Sequence, residues 1–250
     1  MENRITIKQI FKDNWNKFLS MFSLIRPVVL KEVKKIMECG DPDKGYAIYA
    51  CTHCNTFKHV PFRCKSRFCN TCGMKYVHDR ANKLSSKLIN CTHRHIVFTI
   101  PQELRIFFRE DRSLLDVLFE AASQTIFAWF YSQNKSENFI PGFICVLHTF
   151  GRDLKWNPHI HMLITEGASG NITVWRHFKH FPYEMLRKRW QTTLLFMLEQ
   201  RLGKDKFRRI KNSLYKANKD GFYVHAKSSM DKRKHVVNYV VRYTGRPVMA

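Results

Sequence analysis

The sequence predicts an α+β chain in which an antiparallel sheet is backed by helices and preceded by a small cysteine-rich module that folds around metal. Three observations point there. Six of the eight cysteines fall between Cys39 and Cys72. Beyond residue 90, short β-branched and aromatic runs alternate with long helical patterns. Two of those runs are joined by a turn-rich connection of hairpin-compatible length, which pairs them antiparallel.

The elements follow in order. Ile10, Trp15, Phe18, Leu19 and Phe22 recur at helical spacing, and Pro27 suits the opening turn of a second helix that runs to about Met37. From Cys39 to about Gly73, closely spaced Cys, Gly, Pro, Asn and Thr residues show little periodicity, the texture of a loop-rich unit too small to hold a core without metal. A basic helix is expected near Tyr76 to Leu88, then a strand over His95–Ile100 that stops at Pro101. Glu103 to about Tyr131 reads as one amphipathic helix, or two broken near Arg112-Ser113, covering one face of the sheet. The runs Gly142–Phe150 and His159–Thr165 form the hairpin, with 151–158 as its connection. A loop at Gly167–Gly170, a helix over Tyr183–Leu202, a basic stretch at Lys204–Lys219, a strand over Phe222–Ala226 and a helix from about Asp231 to Tyr243 complete the chain. The expected division is therefore 1–38, a helical lead-in; 39–90, a zinc-binding module with its basic helix; and 91–250, the sheet-containing domain.

Charge narrows the partner. Against 43 Lys and Arg stand 20 Asp and Glu, a formal balance of +23 with a sequence pI near 9.9, so the surface attracts polyanions and nucleic acid comes first among them. With 44% hydrophobic and 14% aromatic residues, the chain is too apolar for a disordered basic tail. No apolar run is long enough to span a membrane and the polar start Met1-Glu2-Asn3-Arg4 lacks a signal-peptide core, so a cytoplasmic protein is expected. In that compartment clustered cysteines read as metal ligands rather than disulfides.

Cys51-Thr52-His53-Cys54 and Cys69-Asn70-Thr71-Cys72 are two C-x-x-C knuckles fourteen residues apart, a spacing by which four thiolates close a tetrahedral zinc site. Cys39 and Cys64 either join a second metal site, replace a knuckle cysteine or line the small core. Basic residues are interleaved with the knuckles, and Lys65 and Arg67 among them are candidates for DNA contact. Cys91 and Cys145 read as small hydrophobes.

Strand alternation places His159 and His161 on one face with Ile160 on the other, which makes either half a metal site or a satisfied core pair. His148 in the preceding strand could converge with them on one ion. Tyr239 and Tyr243, four apart in a helical pattern, share a face opposite Val236, Val237, Val240 and Val241; the bland reading makes both of them core aromatics. Trp156, Trp175 and Trp190 are rings that either stack on bases or sit in the core.

At this point the chain resembles a known family. The blocks Leu147-His148-Thr149-Phe150-Gly151, Asn157-Pro158-His159-Ile160-His161 and Asn238-Tyr239-Val240-Val241-Arg242-Tyr243, with the upstream knuckles, are similar to the rolling-circle transposases of the insertion sequence 91 family. His95-Ile96-Val97-Phe98-Thr99-Ile100-Pro101 and Leu118-Phe119-Glu120-Ala121-Ala122 resemble its intervening segments, and the match runs from about Cys39 to Arg246. The resemblance implies the HUH endonuclease fold for 91–250, with His159 and His161 as ligands of Mg²⁺ or Mn²⁺ and Tyr239 and Tyr243 as nucleophiles. His148, by a spacing like that of conjugative relaxases, would be the third ligand. It further implies a DNA transposase that nicks and joins single-stranded DNA at transposon ends through a 5′-phosphotyrosine, with Arg242 helping to acidify the phenol and hold DNA, structural Zn²⁺, and no nucleotide cofactor. Phe68 and Asn70 depart from the family's knuckle, which often has a histidine and a proline there. Relatives also continue beyond the tyrosine motif, so a truncated copy is expected. The competing class is a zinc-ribbon nucleic-acid-binding protein without chemistry, its histidines merely structural.

Overall fold

The structure, a computed structural model, describes residues 5–151, 153–226, 230 and 236. These fall into two compact units that divide after Leu84. Mixed helix and antiparallel sheet make the chain α+β, as its periodicities imply.

The first unit begins with α1 (Ile7–Met21), whose N-terminus is capped by the Thr6 hydroxyl accepting from the Gln9 N–H, and α2 (Pro27–Met37), opened by Pro27. A hairpin of β1 (Tyr46–Ala50) and β2 (Phe57–Pro61) follows in unbroken register from Tyr46↔Pro61 to Ala50↔Phe57. Next comes α3 (Asn70–Ser85). Among the described residues, Ile36, Cys39 and Cys69 form a small buried cluster here, with Phe11, Cys64 and Cys72 packed against them. That is far too little apolar burial to offset chain entropy, so the cysteines must contribute more than packing.

The second unit is a sheet ordered β4-β5-β3-β7, built from β3 (His93–Phe98), β4 (Ile140–Phe150), β5 (Trp156–Ser169) and β7 (Val224–Ala226), with the short β6 (Arg176–His177) added to β5. All these pairings are antiparallel. Helices α4 (Arg105–Glu110), α5 (Leu115–Gln133), α6 (Tyr183–Leu202) and α7 (Lys204–Ala217) supply the rest. On α5 the buried positions Val117, Leu118, Ala121, Ala122, Thr125, Ile126, Trp129 and Phe130 form one stripe at helical spacing. That stripe, with Leu186, Trp190, Leu194, Leu195 and Leu198 of α6, shares one core with Ile96, Phe98, Ile160, Met162, Ile164 and Val224 of the sheet. Each of the larger aliphatic and aromatic side chains among them contributes about 1.5–3 kcal/mol by leaving water.

Because side chains alternate across a strand, the packing of one sheet face dictates what the other carries. Ile96, Phe98, Ile160, Met162 and Val224 point to the helices. Their neighbours His93, His95, His148, His159, His161 and His225 therefore line the opposite face, joined there by Tyr223.

Several details differ from expectation. The strand β5 continues through Gly167 to Ser169, where a loop is expected, because the Trp175 ring lies directly over Gly167 and no side chain would fit between them. The basic stretch after residue 203 is the helix α7, held by buried Phe207 and Leu214. Trp190 is fully buried and donates to the Thr99 carbonyl (2.8 Å), so it is core and not a base-stacking ring. The closing helix expected from Asp231 to Tyr243, with Tyr239, Arg242 and Tyr243, lies outside the described residues, save that Val236 is helical and buried.

Candidate metal centres

Among the described residues two groups of side chains could hold an ion, one in each unit.

In the first, Cys39, Cys64, Cys69 and Cys72 bring their sulfurs within 4.8 Å of one another. Measured pairs are 3.6 Å (Cys39–Cys72), 3.7 Å (Cys64–Cys72) and 3.7 Å (Cys39–Cys69). Four zinc–sulfur bonds of about 2.3 Å directed to the corners of a tetrahedron require sulfurs roughly 3.8 Å apart, so the donor set fits Zn²⁺.

Local structure explains the gathering. Cys39 follows the end of α2, its N–H bonded to Ile36 O (3.1 Å), and Gly40 turns the chain with φ 69° to donate to Phe62 O (3.0 Å). Cys64 follows β2, and the N–H groups of Cys64 and Ser66 point at the sulfurs of Cys39 and Cys64, both at 3.5 Å. Cys69 and Cys72 straddle the start of α3, where helix-terminal N–H groups favour thiolates. A side chain at Gly73 would press on the Arg67 carbonyl, a close approach only glycine permits. Burial pushes the Cys39 thiol up, but hydrogen bonds from the Cys64 N–H and the neighbouring thiols prevail and bring it down to about 7, whereas burial raises Cys64 and Cys72.

The gathered set is not the pair of C-x-x-C knuckles. Cys51 and Cys54 are exposed at the tip of the β1–β2 hairpin, where Cys51 N–H bonds Thr56 O and Asn55 N–H bonds Cys51 O, both at 2.9 Å. Five paired residues separate that tip from the hairpin base beside Cys39 and Cys64, roughly 17 Å at strand rise. Lys65 and Arg67 are exposed on the loop between Cys64 and Cys69, with the Arg67 guanidinium 4.9 Å from the Tyr76 ring centroid.

In the second group, His148 opposes His159 directly across β4 and β5, with His161 one pleat further along β5. Ligand nitrogens of the three lie within 4.8 Å of one another. Ring centroids are 5.6 Å (148–159), 4.3 Å (148–161) and 4.9 Å (159–161) apart. Between the pairs His148↔His159 and Phe150↔Trp156, β5 carries one residue more than β4. This bulge holds Asn157-Pro158, where proline's missing N–H disturbs no ladder bond. It also places the Asn157 carbonyl 2.6 Å from Nδ1 of His159. A carbonyl can only accept, so His159 carries its proton on Nδ1 and offers the Nε2 lone pair to a cation. Burial, with smaller contributions from His148 and Arg105, pushes the His159 pKa below its usual value and keeps the ring neutral, the state that ligates. Imidazole donors suit Mn²⁺ and other divalent transition ions, and Mg²⁺ where water and phosphate oxygens complete the shell.

His95 and His225 on the same face also belong to this surface. A signal for His95 was present, since His93-Arg94-His95 repeats the H-x-H alternation of His159-Ile160-His161 in the neighbouring strand. Trp156 is half-buried, donates to Arg105 O (2.9 Å) and carries the Arg112 guanidinium over its ring at 5.1 Å.

Of these two groups, comparison with known proteins bears on the cysteine one. A family model described as "Transposase zinc-binding domain" matches residues 10–100, and one described as "Putative transposase" matches residues 142–250. In both parts it is similar to transposases of the insertion sequence 91 family. It is 30% identical over 260 residues to the transposase for insertion sequence element IS801 of Pseudomonas savastanoi pv. phaseolicola, an alignment covering 96% of this chain and 61% of that protein. It is 24% identical over 264 residues to the putative transposase y4qJ of Sinorhizobium fredii (strain NBRC 101917 / NGR234), covering 96% of this chain and 64% of that one. The chain therefore spans a little under two thirds of the length of these relatives. No solved structure matches it. No helix among the described residues is long and apolar enough to cross a membrane.

Proposed function

We infer that this chain carries the zinc module and the catalytic centre of a rolling-circle transposase of the HUH endonuclease type, which cuts and rejoins single-stranded DNA at transposon ends. The observation that carries the reading is the convergence of His148, His159 and His161 on the sheet face away from the helices. In this reading the three imidazoles hold Mg²⁺ or Mn²⁺, which when bound polarises the scissile phosphate and offsets its developing charge. Tyr239 and Tyr243 supply the nucleophiles. A phenol loses its proton, its oxygen attacks phosphorus, the bond from phosphorus to the 3′ oxygen breaks, and that oxygen takes up a proton. A 5′-phosphotyrosine and a free 3′-hydroxyl result. Since the phosphodiester is exchanged rather than hydrolysed, little free energy is lost and the strand can be rejoined without a nucleotide cofactor. Arg242 assists by favouring the phenolate and contacting DNA.

The zinc module, with Cys39, Cys64, Cys69 and Cys72 as ligands, serves as a structural and DNA-contacting part through Lys65 and Arg67. Its task adds to the long-range attraction of a chain with net charge +23.

The test is a covalent trapping assay with Mn²⁺ and a single-stranded oligonucleotide from the transposon end. An SDS-resistant protein–DNA adduct is expected, and it should vanish in the double variant Tyr239→Phe/Tyr243→Phe. An adduct that survives the double change assigns the attack to another residue; the exposed Tyr223, on the histidine face, would be the next to examine.

A further inference from the structure

Behind the three-histidine group stands a fourth imidazole that the mechanism above does not use. On β3, Val97 pairs with His161 and His95 pairs with Leu163, so His95 lies one pleat from His161 on the same sheet face. Its Nε2 is 2.8 Å from Nδ1 of His161. The two rings are close to parallel, planes 20° apart and centroids 5.0 Å apart, as an in-plane contact between ring nitrogens requires, and they are only 3% and 8% exposed. A buried nitrogen-to-nitrogen contact of this length requires one ring to donate and the other to accept.

Which ring donates decides what His161 can do. If His95 donated, a neutral His161 would carry its own proton on Nε2 and have no lone pair there. If His161 donates from Nδ1, its Nε2 is left for a cation. We propose that His95 is a positioning residue for the metal centre: its Nε2 accepts the Nδ1 proton of His161 and so holds that imidazole in the tautomer and orientation that ligation through Nε2 demands. The proposal rests on the three-histidine reading above.

His159 supplies the parallel. Its Nδ1 proton is held by the Asn157 carbonyl (2.6 Å), so the two histidines of β5 each have an acceptor behind them, one from the main chain of the bulge and one from the side chain of β3. Acceptors of this kind raise ligand basicity and remove the entropy of a rotating ring, and their loss ordinarily weakens metal binding 10–100-fold. Ring packing alone would not give this effect, which separates the positioning role from a packing role.

The experiment is Mn²⁺ binding to the zinc-loaded chain, followed by the electron paramagnetic resonance of free Mn²⁺. His95→Phe retains an aromatic ring but removes the acceptor, and is expected to weaken binding by about 10–100-fold. His95→Gln, whose amide oxygen can accept, is expected to recover part of the loss. Unchanged affinity in His95→Phe, with affinity lost in His161→Ala, overturns the positioning role and leaves the three-histidine reading standing. Wild-type chain that binds no Mn²⁺, or binding indifferent to His161→Ala, overturns that reading and the proposal with it. Since a buried substitution can unfold the strand, the tautomer is also read directly in the wild-type chain without Mn²⁺, using ¹⁵N-labelled histidine at pH 8. A proton on Nδ1 of His161 is expected; a proton on its Nε2 contradicts the proposal.

Discussion

Replacing Cys64 by serine should empty the zinc site and unfold the N-terminal unit, while replacing Cys51 and Cys54 together should leave both intact. The contrast follows from position: Cys64 stands 3.7 Å from Cys72 inside the thiol group, whereas Cys51 and Cys54 are exposed at the hairpin tip. The effect is expected to be large because the buried cluster around the sulfurs, among the described residues, is as small as Ile36, Cys39 and Cys69. Structural zinc contributes about 10–16 kcal/mol in small zinc-finger peptides, so such modules fold with their metal or not at all. Zinc content by mass spectrometry of the intact protein, with melting followed by circular dichroism, reads both outcomes. Zinc lost from Cys51→Ser/Cys54→Ser and kept in Cys64→Ser would restore the two-knuckle arrangement as the ligand set.

Replacing His161 by alanine should abolish strand cleavage while sparing zinc content and metal-independent DNA binding. His161 is the most deeply buried of the three histidines, touches His95 at 2.8 Å and lies between β3 and β4 in the sheet. Without it two imidazoles remain, too few to fix an ion against water. Loss of the ion's stabilisation of the developing charge is worth about 4 kcal/mol or more, at least about 10³-fold in rate. Because binding to the phosphate backbone arises from the distributed Lys and Arg excess, the salt dependence of affinity should be unchanged. Single-turnover cleavage and a salt titration of oligonucleotide binding measure the two quantities. Equal loss of cleavage, DNA binding and zinc would assign His161 a folding role.

How far the sequence carried this structure depends on the range of the interactions involved. Helix α6 occupies the expected span Tyr183–Leu202, because its apolar stripe is local and Gly203, at φ 88°, stops it. Pro27 at the start of α2 and the antiparallel pairing of β4 with β5 were legible for the same reason. The alternation of His159, Ile160 and His161 needed only strand geometry, and His148 followed from the hairpin. The thiol set is legible only in part: Cys69 and Cys72 stand out as ligands, while for Cys39 and Cys64 the sequence leaves a ligand role and a core role open. Cys39 and Cys64 are 25 residues apart and meet only because Gly40 donates to the Phe62 carbonyl at the base of a hairpin whose tip carries the more conspicuous C-x-x-C. The contact made by His95 is not legible in the same way, because its partner lies 66 residues away and nothing in a strand's own pattern says which neighbour it will pair with.

The central claim is that His148, His159 and His161 grip one divalent cation on the sheet's histidine face, away from the α5–α6 core. Crystals of the zinc-loaded chain soaked in Mn²⁺, with diffraction recorded on either side of the manganese absorption edge, test it most directly. The account predicts a manganese peak within bonding distance of one nitrogen from each of the three imidazoles, including Nε2 of His159. A histidine face without manganese at saturating Mn²⁺, or a peak ligated by other residues, would contradict it.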